Sequence, residues 1–247
     1  MSYKFRYFFM SSIYPVTIMI GTMLPMLFFV LFTNTTLDQV PKDYQDLVKW
    51  QMFFVFIPMT LLMYTLNGYV TNTAIEKQKS IPFRLKLFGI NETVGICYKI
   101  ISNFIIIVCS IVLYTIVANY NISLNMDFIE TKYFVLYGIL LVVTYFIFLI
   151  LGQGIVNITN SENASIGIGM FLYFLISIFS GMYGEITLPK WMDQISKLCP
   201  VYYLTGEYIN VTQNSNYNYA PMIQSYIVFT GIVVIFYYIS VKCKKRE

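Results

Sequence analysis

Residues 76–91 read Glu76-Lys77-Gln78-Lys79-Ser80-Ile81-Pro82-Phe83-Arg84-Leu85-Lys86-Leu87-Phe88-Gly89-Ile90-Asn91. The stretch is short and basic, and it lies between two long apolar segments. Read as a helix, it places Ile81, Leu85 and Phe88 on one face, because residues at positions i, i+4 and i+7 lie close together around a helix axis. Pro82 suits the first turn of such a helix. The pattern predicts a short helix at the membrane surface, although a plain basic loop would have a similar composition.

The composition indicates an integral membrane protein. Of the 247 residues, 57% are hydrophobic and 11% are charged, whereas about 25% of the residues in a soluble domain are charged. So few charges cannot solvate the surface of a domain of this size. Aromatic residues make up 18% of the chain, which suits side chains that lie at the two membrane–water interfaces.

Long windows without charged residues predict six membrane-spanning helices, because a spanning helix needs about 20 consecutive apolar residues. The predicted spans lie near residues 11–33, 52–73, 97–118, 133–156, 164–183 and 221–241. Lys99 lies inside the third span, close to its cytosolic end, where we expect its side chain to extend to the aqueous surface. Residues 3–14 are either an N-terminal interfacial helix or an extension of the first span. We therefore expect an all-α integral membrane fold, with residues 1–247 in a single domain.

The distribution of basic residues predicts the orientation, since Lys and Arg are enriched in cytoplasmic loops. With both termini in the cytosol, the inner side holds 11 of the 16 Lys and Arg residues and the outer side holds five. We therefore expect both termini on the cytosolic side of a cell membrane.

The sequence lacks the residues of several kinds of active site. It contains no histidine, which removes His-based zinc sites and the Ser-His and Cys-His nucleophile pairs. No GxxxxGK[ST] phosphate-binding loop is present, so ATP has no usual site on this chain. The predicted spans have no Asp or Glu at depth, which argues against a carrier driven by protons or sodium ions. We expect no catalytic, cofactor-binding or metal-binding residue.

Two stretches resemble motifs of one protein family. Residues 76–91 are similar to the cytosolic motif of ABC-2 type exporter permeases, E-R-E-R-G-T-L-x-x-L-R-x-T-P-x-S. The matching positions are Glu76 at the leading Glu, Lys77 and Lys79 at the basic positions, Leu85 at the motif leucine and Asn91 at the final Ser. Two positions differ from the motif, since Ser80 replaces the usual Gly and Gly89 replaces the usual Pro.

The second stretch lies between the last two predicted spans. It contains Ser180-Gly181-Met182-Tyr183-Gly184-Glu185, then Leu188-Pro189-Lys190-Trp191-Met192, then Cys199-Pro200-Val201-Tyr202-Tyr203-Leu204. These segments resemble the S-G-x-F-F-P, L-P-x-W and N-P-x-x-Y-L blocks of the same family, in the same order, with Glu185 where the family usually has Pro. The resemblance implies short segments that re-enter the outer leaflet, marked by Gly181, Glu185, Pro189, Trp191, Pro200 and Tyr203.

The resemblance also implies an energy source and two partners. A separate ATP-binding subunit, carrying ATP and Mg, would dock on a coupling helix formed by Glu76, Lys77, Lys79, Ser80, Ile81, Pro82, Phe83, Arg84, Leu85 and Lys86. A second permease half, identical or paralogous, would complete the pore in the lipid bilayer. This chain would be a bacterial transport subunit and not an enzyme, with no cofactor of its own and no nucleic-acid partner.

Polar residues recur on one face of two predicted spans. Thr60, Tyr64, Asn67 and Thr71 share a face of the second span, and Gly169, Tyr173, Ser177 and Ser180 form a similar stripe in the fifth. Such a stripe either packs against a neighbouring helix or lines a pathway. The resemblance implies that both spans meet at the dimer interface beside the path. We expect Phe174 to offer the substrate an apolar contact. Because no charged ring lines these faces, the substrate is expected to be amphipathic or hydrophobic: a peptide, a lipid-like molecule or a drug-like molecule.

Two other functions fit the sequence. The chain is alternatively a secondary carrier that needs no ATPase, or a membrane scaffold or immunity protein that binds a toxin through its outer loops. Co-purification with an ATP-binding subunit separates the exporter from both.

Overall fold

The computed structural model describes residues 29, 31, 37, 40–87, 89–125, 128–159, 161–182, 189–214 and 216–244. These described residues form helices joined by short loops, and they contain no β-strand. The predicted first span near residues 11–33 and the predicted N-terminal interfacial helix lie outside this range, apart from Phe29 and Leu31. Both stay predictions.

Nine α-helices occur in the described part of the chain. In chain order they are α1 (Gln45–Leu62), α2 (Val70–Gln78), α3 (Ile81–Leu87), α4 (Glu92–Ile122), α5 (Thr131–Ile158), α6 (Glu162–Phe179), α7 (Lys190–Ser196), α8 (Glu207–Gln213) and α9 (Ala220–Lys244). A π-helical segment, Met63–Tyr69, joins α1 to α2 without a break, and 3₁₀ turns cover Lys42–Tyr44 and Pro200–Leu204.

Five stretches of the described residues are long and apolar enough to cross a membrane: Lys42–Gln78, Val94–Ile122, Thr131–Ile158, Glu162–Phe179 and Ala220–Cys243. They correspond to the second through sixth predicted spans. The fifth span ends at Phe179 and not near residue 183, because Gly181 adopts a left-handed conformation with φ of 71°. The Met182 amide then donates to the Ser177 carbonyl at 3.1 Å, which closes the helix in the way that glycine commonly allows.

The second span and α4 run in opposite directions. Tyr64 donates to Asn103 at 2.8 Å, and Glu76, later in the same span, pairs with Lys99, earlier in α4. The span formed by α1 and α2 is therefore antiparallel to α4. As a result, the end of α2, the start of α4 and the whole of α3 meet at one end of the bundle, which we call the α3 end.

A proline in α1 is accommodated by a tyrosine of α5. Pro58 has no N–H and cannot bond to the Phe54 carbonyl one turn earlier. The Tyr137 hydroxyl donates to that carbonyl at 3.2 Å instead. The same hydroxyl lies 3.3 Å from the Leu204 carbonyl, so one side chain ties α1, α5 and the second 3₁₀ turn together.

Aromatic side chains form the core at the end opposite α3. The rings of Phe54, Tyr137 and Tyr208 lie 4.7 to 4.9 Å apart, centroid to centroid. Trp50 packs against Phe54 and donates from Nε1 to the Asn125 carbonyl at 3.2 Å. Such ring pairs add about 0.5–1.5 kcal/mol each beyond the area that they bury. Because Tyr208 lies in α8, this cluster fixes α8 against α1 and α5.

Two glycines let neighbouring helices contact the π-helical segment. A Cβ atom added at Gly169 in α6 would collide with the Leu66 carbonyl oxygen. One added at Gly152 in α5 would lie 3.4 Å from the Thr65 carbonyl oxygen and 3.0 Å from Cγ2 of Val70, the first residue of α2. Small residues permit helices in membranes to approach this closely. π-Helical turns are rare and occur frequently at functional sites. In this protein the π-helical segment is enclosed by α5 and α6.

Candidate functional site

The stretch that resembles the family motif folds as two helices and not as one. Glu76 and Lys77 belong to α2, and α3 is a separate helix. The break lies at Ser80, whose φ of 53° is in the left-handed region, and Gly89 follows α3 with φ of 73°. Two left-handed residues therefore set the directions in which the chain enters and leaves α3.

The inner face of α3 agrees with the pattern in the sequence. Ile81 and Leu85 are half-buried, whereas the side chain of Phe88 lies outside the described residues. Pro82 occupies the first turn of the helix, as predicted. The pattern therefore identified the side of α3 that packs toward the bundle.

The outer face of α3 combines apolar and basic side chains. Phe83 is 64% exposed and Leu87 is 72% exposed, and these two residues lie one helical turn apart. Arg84 and Lys86 are exposed beside them. Large apolar side chains on an exposed face, next to charges, are typical of an interaction surface.

A buried ion pair joins α2 to α4. The Lys99 ammonium lies 2.8 Å from a Glu76 carboxylate oxygen and donates to Thr73 Oγ1 at 2.8 Å. Its Nζ atom also lies 5.2 Å from the centroid of the Tyr69 ring. Lys99 is 5% exposed, so the prediction that its side chain extends to the aqueous surface is wrong. A charge taken out of water needs a partner, and Glu76 supplies one inside the protein.

Lys77 caps the end of α5. Its ammonium donates to the Val156 carbonyl at 3.0 Å and to the Thr159 carbonyl at 2.8 Å. The last carbonyls of a helix lack partners within the helix, and a lysine there also suits the negative end of the helix dipole. Two residues of the predicted docking set, Glu76 and Lys77, thus make contacts inside the chain that tie α2 to α4 and α5.

Side-chain hydrogen bonds continue from this ion pair toward α9. The Tyr69 hydroxyl donates to Gln153 at 2.6 Å, the Gln153 amide donates to Asn157 at 3.3 Å, and the Asn157 amide donates to Ser240 at 3.3 Å. These contacts link α5 and α9 to the α3 end of the second span. Gln153, Asn157 and Ser240 are absent from the predicted set, although two amide side chains four residues apart in an apolar span indicate a polar contact.

A cavity of about 410 Å³ lies between α3 and the ends of α2, α4 and α5. Glu76, Lys99 and Asn157 line it on the side of the bundle, and Phe83 and Lys86 line it on the side of α3. Its volume falls within the range of ligand pockets, which runs from about 300 to 1,000 Å³. The α3 end therefore contains an exposed helix face and an open cavity beside it, and Phe83 and Lys86 contribute to both.

Comparison with known protein families identifies the family of the chain. The model of the family described as ABC-2 type transporter matches residues 5–211, which include α1 to α7 and most of α8. The chain belongs to the ABC-2 type transporter family. Membership indicates a membrane permease component of a transporter, and not an enzyme. Comparison with curated proteins finds no match, and comparison with solved structures finds none.

All the predicted path residues of this ABC-2 permease except Phe174 lie where its spans pack together. Thr60, Tyr64, Tyr173, Ser177 and Ser180 are buried, Asn67 and Thr71 are half-buried, and Phe174 is 53% exposed. Asn67 lies in the π-helical segment, and its buried Oδ1 atom has no hydrogen-bond partner among the described residues. The contacts that bury these side chains lie within one chain. Their role beside a translocation path stays a prediction.

The predicted re-entrant segment of the permease starts where α6 ends. Gly181 ends that helix, Pro189 precedes α7, Trp191 is exposed, Pro200 begins the second 3₁₀ turn, Tyr203 is buried, and Glu185 lies outside the described residues. The Thr205 hydroxyl donates to the Ser180 carbonyl at 2.7 Å, so the segment folds back onto the end of α6. Burial raises the pKa of the Cys199 thiol to about 11, which keeps it protonated at neutral pH. Re-entry into the membrane stays a prediction.

Replacement of Ser80 by glycine is expected to stabilise the permease by about 1 kcal/mol, because a residue with a Cβ atom is strained in the left-handed region. The family motif has glycine at this position. Thermal unfolding of the purified chain in detergent measures the effect, and we expect the midpoint to rise by about 2–4 °C. Ser80→Ala is the control, since it keeps the Cβ atom and removes only the hydroxyl. An equal gain in both variants would contradict the conformational explanation.

Proposed function

We propose that the permease is the transmembrane subunit of an ATP-driven exporter in a bacterial cell membrane, with both termini in the cytosol. ATP and Mg would bind to a separate ATP-binding subunit that docks on α3. The observation that carries this proposal is the construction of α3. Its outer face exposes Phe83 and Leu87. The helix before it, α2, is joined to α4 by an ion pair and to the end of α5 by hydrogen bonds from Lys77.

The charges at the α3 end support a cytosolic position for it. Lys79, Arg84 and Lys86 lie in α3 and the turn before it, and Lys242 and Lys244 lie at the end of α9. An excess of Lys and Arg is typical of the cytoplasmic side of membrane proteins. A soluble ATP-binding subunit reaches the permease only from that side.

The outer face of α3 suits a groove on a protein partner. Phe83 and Leu87 form an apolar pair one turn apart, and Arg84 lies between them in sequence. Short amphipathic helices bind by placing such a pair in an apolar groove. Aromatic and Arg side chains contribute the largest share of binding energy at many interfaces. We therefore expect Phe83 and Arg84 to dominate the docking energy.

A displacement of α3 would reach the spans through three connections. The chain itself joins α3 to α2 at Ser80, the ion pair of Glu76 with Lys99 joins α2 to α4, and Lys77 joins α2 to the end of α5. Because these contacts are short and largely buried, the ends of α2, α4 and α5 would move together. Closure of two ATP-binding subunits would then push on α3, tilt the spans and open a path to the outside.

The second permease half is proposed to be an identical or paralogous chain, and the substrate to be amphipathic or hydrophobic. Glu76 and Lys99 neutralise each other, and the predicted path residues carry hydroxyl, amide and aromatic groups. This chemistry suits a peptide, a lipid-like molecule or a drug-like molecule. The length and general character of the chain also resemble a permease of the staphylococcal phenol-soluble modulin exporter, so an amphipathic peptide is the first substrate to test.

Co-purification tests the docking of an ATP-binding subunit on α3. The tagged permease is expressed together with a candidate ATP-binding subunit, and the amount of subunit retained is measured. We expect Phe83→Asp to reduce the binding constant about thirtyfold, which corresponds to the loss of about 2 kcal/mol at a dominant contact. Arg84→Glu is expected to act in the same direction.

The matched control is Lys42→Glu, which reverses an exposed charge at the end of the bundle opposite α3. We expect this variant to retain the ATP-binding subunit. Retention that is equal in the Phe83→Asp and Lys42→Glu variants would overturn the docking proposal. Transport by the chain alone in vesicles without ATP would favour a secondary carrier instead.

A further inference from the structure

A half-buried carboxylate at the end of the bundle opposite α3 has no counter-charge. Glu207 begins α8, next to Tyr208 of the aromatic core. One of its oxygens accepts from the Asn210 amide at 3.0 Å, and the other accepts from the Tyr217 hydroxyl at 3.2 Å. Both donors are neutral, and none of the four ion pairs in the described part of the chain includes Glu207. A charge that is partly removed from water favours a charged partner.

Two pairs of tyrosines lie near this carboxylate. The rings of Tyr202 and Tyr203, in the second 3₁₀ turn, lie 5.2 Å apart, and those of Tyr217 and Tyr219, between α8 and α9, lie 5.3 Å apart. Burial and then the charge of Glu207 raise the pKa of Tyr202, Tyr203 and Tyr217, so one carboxylate acts on all three hydroxyls. We call Glu207 and these four tyrosines the α8 cluster. Neutral tyrosine rings present a negative face to a cation.

The same combination of groups holds an ammonium at two other places in this protein. The Lys132 ammonium lies 2.6 Å from a Glu130 carboxylate oxygen and 4.8 Å from the centroid of the Tyr133 ring. Lys99 is held in the same way by Glu76 and by a tyrosine ring whose centroid lies at 5.2 Å. The α8 cluster offers a carboxylate and tyrosine rings without a paired ammonium among the residues that the structure describes.

The lysine nearest to the α8 cluster in sequence already has a carboxylate of its own. Lys197 shortly precedes the second 3₁₀ turn, and its ammonium lies 2.8 Å from an Asp193 carboxylate oxygen. A cation from the surrounding water can approach the cluster instead. Tyr219 is 36% exposed, Asn210 is exposed, and Tyr217 is half-buried.

We propose that the α8 cluster binds the ammonium group of a small organic cation. Glu207 supplies the negative charge, and the half-buried rings of Tyr202 and Tyr217 contact the carbon atoms attached to the nitrogen. Aromatic side chains bind quaternary ammonium groups in this way, through the negative faces of their rings. The site goes beyond the proposed docking of an ATP-binding subunit, because it lies at the opposite end of the bundle from α3 and shares no residue with the docking face.

Ligand-observed NMR of the purified chain, without any ATP-binding subunit, tests the proposal. Tetramethylammonium is titrated into the protein in a maltoside detergent, because phosphocholine detergents carry a quaternary ammonium group themselves. Saturation transfer to the methyl protons of the ligand measures the bound fraction. We expect a Kd of about 1–10 mM, the affinity that one partly exposed ion pair and a few cation–π contacts provide. Absence of binding would overturn the proposal.

Glu207→Gln keeps the shape of the side chain and removes its charge. We expect this variant to bind tetramethylammonium about tenfold more weakly. Glu130→Gln is the matched control, because Glu130 is an exposed carboxylate at the same end of the bundle that already pairs with Lys132. Equal losses in the two variants would overturn the proposal, since they would indicate general attraction between cations and an acidic surface.

Two substitutions at Tyr217 separate the ring from the hydroxyl. Tyr217→Leu removes the ring, and we expect it to weaken the binding of tetramethylammonium by about threefold or more. Tyr217→Phe keeps the ring and loses only the hydrogen bond to Glu207, so we expect it to bind more tightly than Tyr217→Leu. A helical spectrum shows that both variants fold. Unchanged binding by Tyr217→Leu would overturn the role of the rings.

Competition with an inorganic cation tests whether the site selects organic ammonium groups. Potassium ions contact carboxylates but gain less from several tyrosine rings than a tetraalkylammonium ion does, so we expect potassium to compete poorly at constant ionic strength. Displacement of tetramethylammonium by an equal concentration of potassium would overturn the assignment. None of these results depends on an ATP-binding subunit, so they are distinguishable from a failure of the docking experiment.

Discussion

Glu76→Gln is expected to lower the free energy of unfolding of the purified permease by about 3 kcal/mol or more, because the substitution leaves a buried lysine without its counter-charge. The side chain of Lys99 is 6% exposed, whereas that of Glu76 is 19% exposed. Lys99→Met should therefore cost less than Glu76→Gln, since the carboxylate that remains is closer to water. Equilibrium unfolding in mixed detergent micelles measures both values.

The double variant Glu76→Gln/Lys99→Met separates the ion pair from the packing around it. Removal of both charges leaves no unpaired ion, so we expect the double variant to be more stable than Glu76→Gln alone. Asp193→Asn is the matched control, because it breaks the 2.8 Å ion pair of Asp193 with Lys197, which is half exposed. Exposed pairs contribute little. An equal cost in Asp193→Asn and Glu76→Gln would show that burial of the Lys99 pair has no energetic consequence.

Gly169→Ala is expected to lower the free energy of unfolding by about 1–3 kcal/mol, the usual range for an added methyl group in a fully packed site. The new methyl group would meet the Leu66 carbonyl oxygen, which is backbone and cannot rotate away. α6 would have to move off the π-helical segment to make room. Unfolding of the purified chain in detergent measures the loss, and a helical spectrum shows that the variant folds.

Gly167→Ala is the matched control in the same helix. A Cβ atom at Gly167 would meet no heavy atom within 4 Å, and alanine is favoured over glycine inside a helix by about 0.5–1 kcal/mol. We expect this variant to be slightly more stable than the wild type. The two substitutions are thus expected to have opposite signs. A gain in stability at both positions would show that α6 does not contact the π-helical segment closely.

The five spans in the described part of the chain and the inner face of α3 could be predicted because hydrophobic patterning determines them. An apolar stretch as long as residues 133–156 is expected to form a membrane-spanning helix. The helix in the structure, Thr131–Ile158, is only slightly longer than this stretch. The spacing of Ile81 and Leu85 likewise determines which side of a short helix packs inward, whatever its partners are.

The partner of Lys99 could not be predicted, because its position depends on how two spans are placed against each other. Lys99 and Glu76 are far apart in sequence, and each taken alone fits the rule that charges lie at the ends of spans. The break at Ser80 could not be predicted for a related reason, since serine has no marked preference for the left-handed conformation. In both cases tertiary contacts decide between local conformations that are similar in energy.

The π-helical segment determines the direction, around the helix axis, in which the final side chains of the second span point. Each residue of an α-helix turns the chain by roughly 100°, so the extra residue of a π turn rotates everything after it by about that angle. In the permease this rotation points Glu76 toward α4 and Lys77 toward the end of α5. A continuous α-helix from Gln45 to Gln78 would direct both side chains elsewhere. The direction in which α3 leaves the second span is therefore determined within the hydrocarbon layer, several turns from the surface where a soluble partner could reach it.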